Sequence, residues 1–122
     1  MVRQIVVEGF DNCMRTTEEN KNSNVYILFS SSKVNGKSWC PDCVVAEPIV
    51  EECISKKSDD TVFIFCGVGD REFWKNASNP FRTDSRLKLK SVPTLLKWGK
   101  PKRLEENQCA DKELVAMLLE ED

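Results

Sequence analysis

Histidine does not occur in this sequence of 122 residues. Its absence excludes Ser–His–Asp hydrolases, Cys–His proteases, histidine general bases and every zinc site that draws on imidazole. An all-cysteine zinc site would need a second close pair of thiols beside Cys40 and Cys43, and there is none. Long apolar runs are missing too; no segment approaches the ~20 residues that cross a bilayer. The opening "MVRQIVVEGFDN" has neither the long apolar stretch nor the small-residue cleavage site of a secretory signal. Positive charge is not in excess: 18 Lys and Arg against 20 Asp and Glu leave a net charge of −2. That balance gives no ground for expecting nucleic-acid or anionic-membrane partners. Internal repeats, low-complexity tracts and linkers are lacking. The expectation is a soluble, cytoplasmic monomer with one domain over residues 1–122.

What is present is an ordinary globular composition, 40% hydrophobic and 31% charged, with six cysteines. Cys13, Cys53, Cys66 and Cys109 stand alone in regular apolar patterns, whereas Cys40 and Cys43 are three apart. A small secreted disulfide scaffold would be loop-rich and poor in hydrophobic strands, and this chain has good strands. Asn76-Ala77-Ser78 matches a glycosylation acceptor, but without a secretory signal it reads as a chance match.

Gln4 to Val7 reads as a short strand and Phe10 to Asn20 as a helix, with Phe10, Cys13, Met14 and Thr17 at helical spacing. "VYILF" (25–29) and "TVFIFC" (61–66) are continuous apolar runs suited to central strands covered on both faces. The helix between them makes a βαβ crossover and a parallel pair. Asn79-Pro80 predicts a capped helix running towards Leu87. "PTLLKW" predicts a strand, Gly99 to Lys102 a turn, and Arg103 to Glu105 an antiparallel return. Asp111 is placed to cap a last helix that buries Leu114, Val115 and Leu118. The predicted order is β-α-β-α-β-α-β-β-α, a three-layer α/β architecture.

The densest chemistry lies in "KSWCPDCVVAEPIV" (37–50). Two cysteines three apart in the first turn of a helix share one side and can bridge. Cys40 at the helix start faces free N–H groups and the positive end of the dipole, which favour a thiolate. It is then the nucleophile towards a substrate disulfide, and Cys43 resolves the mixed disulfide. Pro41 suits the first helical position, whose N–H has no helical partner, whereas Pro48 lies well inside and predicts a kink. Asp42 has two readings: complement to the dipole, or a carboxylate that disfavours the thiolate and tilts the pair towards a reductant. Val92-Pro93-Thr94 precedes an apolar strand, where proline is either simple punctuation or a cis bond that sets backbone beside the thiols as a substrate ledge.

"WCPDC", "AEP" with its proline eight after the first cysteine, and "SVPTLLKWG" resemble the thioredoxin superfamily over nearly the whole chain. "GKSWCPDCVVAEPIV" and "VFIFCGVG" are similar to one branch, the fourteen-kilodalton thioredoxin-related proteins (the thioredoxin domain-containing protein 17 family). The resemblance implies a thioredoxin-like fold, a central mixed β-sheet flanked by helices on both faces. It implies a cytosolic disulfide reductase with Cys40 as nucleophile, Cys43 as resolving thiol and Pro93 as the cis-proline. No bound cofactor is implied beyond the redox-active Cys40–Cys43 disulfide. The implied partners are thioredoxin reductase, which recharges the dithiol from NADPH, and substrates such as cystine, persulfides, nitrosothiols and a few protein disulfides.

Several features depart from ordinary thioredoxin, whose motif is CGPC. Its second strand carries a buried Asp that helps deprotonate the resolving cysteine, and Leu28 stands in that place here. Asp42 is the candidate substitute. The segments 30–39 and 67–91 are longer than their thioredoxin counterparts; they read either as tolerated surface loops or as a reshaped rim that restricts large substrates. Trp39 is a candidate shield or contact face for Cys40, Val92 and Pro93 candidates for substrate binding, and Trp74 and Trp98 packing residues. Cys13, Cys53 and Cys66 read as core residues and Cys109 as the isolated cysteine most open to oxidation. Lys97, Lys100, Lys102 and Arg103 read as a solvated hairpin. Two competing functions stay open. "CPDC" also resembles the glutaredoxin C-P-x-C, although no Gly-Gly pair follows the Val-Pro-Thr strand, and a partner-binding module with incidental redox chemistry uses the same fold.

Overall fold

The computed structural model describes residues 2–57 and 60–120. Five strands form one sheet, β1 (Arg3–Glu8), β2 (Asn24–Ser30), β5 (Thr61–Gly67), β6 (Thr94–Lys97) and β7 (Arg103–Glu105), in the order β1-β5-β2-β6-β7. The pairs β1–β5 and β2–β5 are parallel, and β2–β6 and β6–β7 antiparallel, so the sheet is mixed. β2 and β5 are central and buried on both faces, which is why their sequences are continuous apolar runs rather than alternating ones.

Strand alternation sends the side chains of β2 to two separate cores. Val25, Ile27 and Phe29 join Val62, Ile64 and Cys66 beneath α1 (Phe10–Glu19) and the segment after β5. Tyr26 and Leu28 join Phe63 and Leu95 beneath α2 (Pro41–Ile54) and α5 (Lys112–Glu120). Helices therefore cover both faces, as expected. No helix among the described residues is long and apolar enough to cross a membrane.

The segment after β5 is a packed wall, not a loop. α3 (Arg71–Lys75) is capped by Asp70, whose carboxylate accepts the Phe73 N–H at 2.8 Å. α4 (Pro80–Thr83) starts as predicted, with Asn79 as cap and Pro80 at the first helical position. Its predicted continuation to Leu87 does not occur. The chain leaves the helix at Asp84 so that Leu87 and Leu89 can both turn inward, and the Leu89 N–H bonds back to the Phe81 carbonyl at 2.9 Å. Buried Asn79 ties the wall together by donating its side-chain amide to the carbonyls of Phe73, Trp74 and Asn76.

Three elements are additions to the predicted order. α3 is one, and a 3-10 turn, Glu106–Ala110, is the second. The third is a small hairpin, β3 (Lys33–Val34) with β4 (Lys37–Ser38), inside the segment before the cysteine motif. Asn35 and Gly36 form its turn, both with positive φ, 54° and 77°, the backbone that an Asn-Gly pair adopts readily. The helix α2 runs as one element through Pro48, which withholds the N–H that the Val44 carbonyl would accept.

Candidate active site

The motif lies where β4 hands the chain to α2. Cys40 precedes a proline and is accordingly extended, φ −116° and ψ 102°, which makes it the N-cap, with Pro41 at the first helical position. Cys40 and Cys43 are joined as a disulfide with Cα atoms 5.2 Å apart. Cys40 Sγ accepts the Cys43 N–H at 3.2 Å, so the sulfur occupies the place of a capping oxygen. Cys43 is wholly buried and Cys40 is 6% exposed. Of the two sulfurs, only that of Cys40 belongs to a residue that reaches the surface.

A second segment closes over the sulfur. The Val92–Pro93 peptide bond is cis, and the Val92 carbonyl oxygen lies 3.7 Å from Cys40 Sγ. The Pro93 carbonyl accepts the Glu106 N–H at 2.8 Å, which fastens this turn to the 3-10 element. Ser38 holds the other flank, its hydroxyl accepting the Cys40 N–H at 3.1 Å and bonded to Ser31.

The two lengthened segments are bonded to each other beside the motif. The Gly69 carbonyl accepts both the Ser32 N–H and the Trp39 indole N–H at 3.1 Å, and the Gly69 N–H reaches the Ser32 hydroxyl at 2.8 Å. Glycine is required there: its φ is 101°, and a Cβ would lie 2.8 Å from the Phe73 ring. Trp39 is thereby fixed, half-buried, against the neighbouring segment.

Beside Cys40 lies an open cleft of about 570 Å³, bordered by Trp39, Cys40 and Pro41, by Val92, and by side chains of residues 71–91. Trp74 is buried, as a packing residue should be, but it also lines this cleft. Trp98 is half-buried at the β6–β7 turn, away from the motif. Lys100 and Lys102 are exposed there, while Arg103 donates to the Leu87 carbonyl at 2.8 Å. The cleft's charged lining, Arg71, Lys75, Arg82, Lys90 and Glu106, was not singled out from the sequence. The density of cations between Gly67 and Ser91 was the available signal.

Two carboxylates flank Cys43 in the sequence. Asp42 is exposed in the first helical turn. Glu47, one turn further on, is half-buried and accepts the Ser30 hydroxyl at 2.7 Å. Leu28 is wholly buried, so the strand itself presents no carboxylate at that position.

The other four cysteines are free and buried. For Cys13, Cys53 and Cys66 that is the predicted place. Cys109 is a correction: it is 0% exposed, because the 3-10 turn tucks its side chain under the sheet, with Sγ 3.4 Å from the Leu104 carbonyl and 3.7 Å from that of Pro93. Burial pushes its thiol up to about 12. Cys66 is pushed up by its hydrogen bond with Cys13 and then by burial, and Cys53 by burial. Such thiols stay protonated at neutral pH and do not compete with Cys40. Among the described residues no cluster could hold a metal ion.

Comparison with known proteins agrees with this geometry. The model of the "Thioredoxin domain-containing protein 17-like, thioredoxin domain" family matches residues 6–121. The chain is 44% identical to thioredoxin domain-containing protein 17 of Homo sapiens and 43% identical to that of Mus musculus, over 98% of this chain and 96% of each relative. It is 35% identical to the thioredoxin-like protein Clot of Arabidopsis thaliana, over 87% of this chain and 83% of that one. A reduced thioredoxin pre-protein of Schistosoma mansoni superposes with a TM-score of 0.61 at 16% identity, over 94% of this chain and 96% of that one, which speaks to the fold. A dithiol pair heading a helix of this sheet, in a chain so similar throughout, makes the protein a thiol–disulfide oxidoreductase of the thioredoxin domain-containing protein 17-like family.

Proposed function

We propose that the protein is a cytoplasmic disulfide reductase whose dithiol is recharged by NADPH through thioredoxin reductase, acting as a monomer with no bound cofactor. Its substrates are small disulfides such as cystine, with persulfides, nitrosothiols and selected protein disulfides. The carrying observation is the burial contrast within the pair: Cys40 reaches the surface at the rim of the cleft and Cys43 does not. In the reduced protein the Cys40 thiolate attacks one substrate sulfur, and the substrate S–S bond breaks. The first leaving thiolate takes a proton from solvent. Cys43, deprotonated, attacks Cys40 Sγ, forms the internal disulfide and releases the second thiol, so that two electrons pass from the dithiol to the substrate. Val92 and Pro93 present backbone to the bound substrate, and the fixed Trp39 narrows the approach.

NADPH consumption with thioredoxin reductase and either cystine or insulin tests the reading. Rapid turnover of cystine with little of insulin supports a selective reductase whose added segments exclude large substrates. Equal turnover of both removes the selectivity. Activity only with glutathione and glutathione reductase would replace the reading by a glutaredoxin one, against which stands the Gly99-Lys100 turn where a Gly-Gly pair would be needed. Silence in both systems would favour a binding module.

Asp42 is proposed as proton acceptor for Cys43 in place of the missing strand carboxylate. Asp42→Asn is expected to slow resolution of the mixed disulfide by about tenfold, less than the hundredfold or more of a fully positioned base, because the group is exposed. Rapid-quench measurement of the mixed disulfide gives the rate, with Glu47→Gln as comparison. An unchanged rate in Asp42→Asn removes the role.

A further inference from the structure

The cleft beside Cys40 carries a charge opposite to that of the chain. The protein is net negative, yet Arg71, Lys75, Arg82 and Lys90 all line this cleft against one carboxylate, Glu106. None of these four cations forms an ion pair among the described residues. Asp42, Asp70 and Glu72 keep their charge nearby, but none of them lines the cleft. Asp70 is engaged in capping α3 and Asp84 pairs with Arg86, while Asp42 and Glu72 are exposed next to the motif and on α3.

Arg82 is held differently from the other three. It is half-buried, its guanidinium lies 4.2 Å from the centroid of the Trp74 ring, and its Nε donates to the Trp74 carbonyl at 2.8 Å. A stacked guanidinium fixed through Nε presents its two terminal nitrogens as a preset fork, which suits a carboxylate. Arg71, Lys75 and Lys90 are exposed and add a mobile cationic rim. Four unpaired cations within one cleft repel each other, and an anion relieves that repulsion.

We infer that this cleft is a carboxylate-recognition subsite, and that the preferred substrates are disulfides bearing carboxylates within a few bonds of the reacting sulfur. The inference rests on the reductase reading. The carboxylate docks on the Arg82 fork and the lysines, which sets the adjacent S–S bond against Cys40. The electrons still come from the Cys40/Cys43 dithiol, and the substrate leaves as two thiols. Free diacid disulfides and acidic peptide segments carry the same chemistry.

The test is single-turnover reduction by the dithiothreitol-reduced, desalted protein, followed by tryptophan fluorescence. Three small disulfides are compared: 3,3′-dithiodipropionate (dianion), 2-hydroxyethyl disulfide (neutral) and cystamine (dication). Their leaving thiols differ in basicity, so the readout is the ratio of wild-type to variant rate for each substrate, in which that difference cancels. The variant Arg71→Glu/Lys75→Glu/Lys90→Glu changes exposed side chains only. It is expected to slow dithiodipropionate about tenfold relative to hydroxyethyl disulfide and to speed cystamine several-fold relative to it. Raising the salt should shrink both effects. Arg82→Lys, which keeps the charge and loses the fork, should slow the dianion alone. A pair of disulfide-bridged peptides with Glu or Gln beside the cysteine separates the sources. Charge dependence in the peptides alone points to acidic segments, and dependence in the small disulfides alone points to free diacids. Equal ratios for all three small disulfides and for both peptides would overturn the subsite while leaving the reductase intact. A wild-type protein that reduces none of them would overturn both.

Discussion

Cys40→Ser is expected to reduce disulfide turnover at least about a thousandfold, to the uncatalysed background, because it removes the proposed nucleophile. No other sulfur can take its place. Cys43 is wholly buried beneath it, Cys13, Cys66 and Cys109 are enclosed in the two cores, and Cys53, 7% exposed, lies at the opposite end of α2 with its thiol pushed up by burial. A serine hydroxyl retains the capping geometry of α2, so the fold should be unaffected and the loss chemical. Cys43→Ser has a different signature. Attack by Cys40 proceeds, resolution does not, and the substrate stays attached as a mixed disulfide visible as added mass. The two variants together assign the order of the steps. A Cys40→Ser protein that still turned over, or a Cys43→Ser protein that accumulated no adduct, would reverse or remove the assignment.

Phe81→Ala should be the most damaging substitution outside the motif. Phe81 is wholly buried and meets Phe10 and Phe29 edge-to-face, with ring centroids 5.7 and 6.0 Å away. It pins the segment between β5 and β6 onto α1 and β2. Removing a buried Phe side chain costs about 3–5 kcal/mol, a large share of the ~5–15 kcal/mol that holds a domain folded. Chemical denaturation should show that loss, whereas Phe73→Ala, at a 44% exposed position, should lose under about 1 kcal/mol. Similar small losses for both would mean that the wall is a surface loop after all. The Phe81 variant should also blur the carboxylate preference of the cleft, since Arg82 and Trp74 stand on the same wall.

The layers were legible because the central strands declare themselves. "VYILF" and "TVFIFC" are too apolar for any position but the middle of a covered sheet, and the helix between them dictates a parallel pair. The cysteine pair and the Val-Pro-Thr turn were legible as local spacing, although nothing local says that they meet. The hairpin at 33–38 is signalled by Asn35-Gly36 alone, because strands of two residues carry no apolar alternation. Cys109 was misplaced for a different reason. Its neighbours Glu105, Glu106, Asn107, Gln108 and Asp111 are polar, yet a 3-10 turn needs only one residue to point inward. The cleft was invisible for a third: Arg71, Lys75, Arg82 and Lys90 are spread over two short helices and a connection, and only the packing of Trp74 and Phe81 gathers them.

Cys40 and the Val92 carbonyl that lies against it are 52 residues apart in the chain. The strands beneath them also pair across long separations, Arg3 with Val62 and Asn24 with Thr61, the kind of topology that assembles late. During synthesis, therefore, both cysteines emerge well before the turn that completes their surroundings. A growing chain stopped short of Val92 would carry two thiols without a redox site. Its thiols would exchange with disulfides only as free cysteines do, and the cleft and the backbone beside Cys40 are added when Val92 and Pro93 arrive.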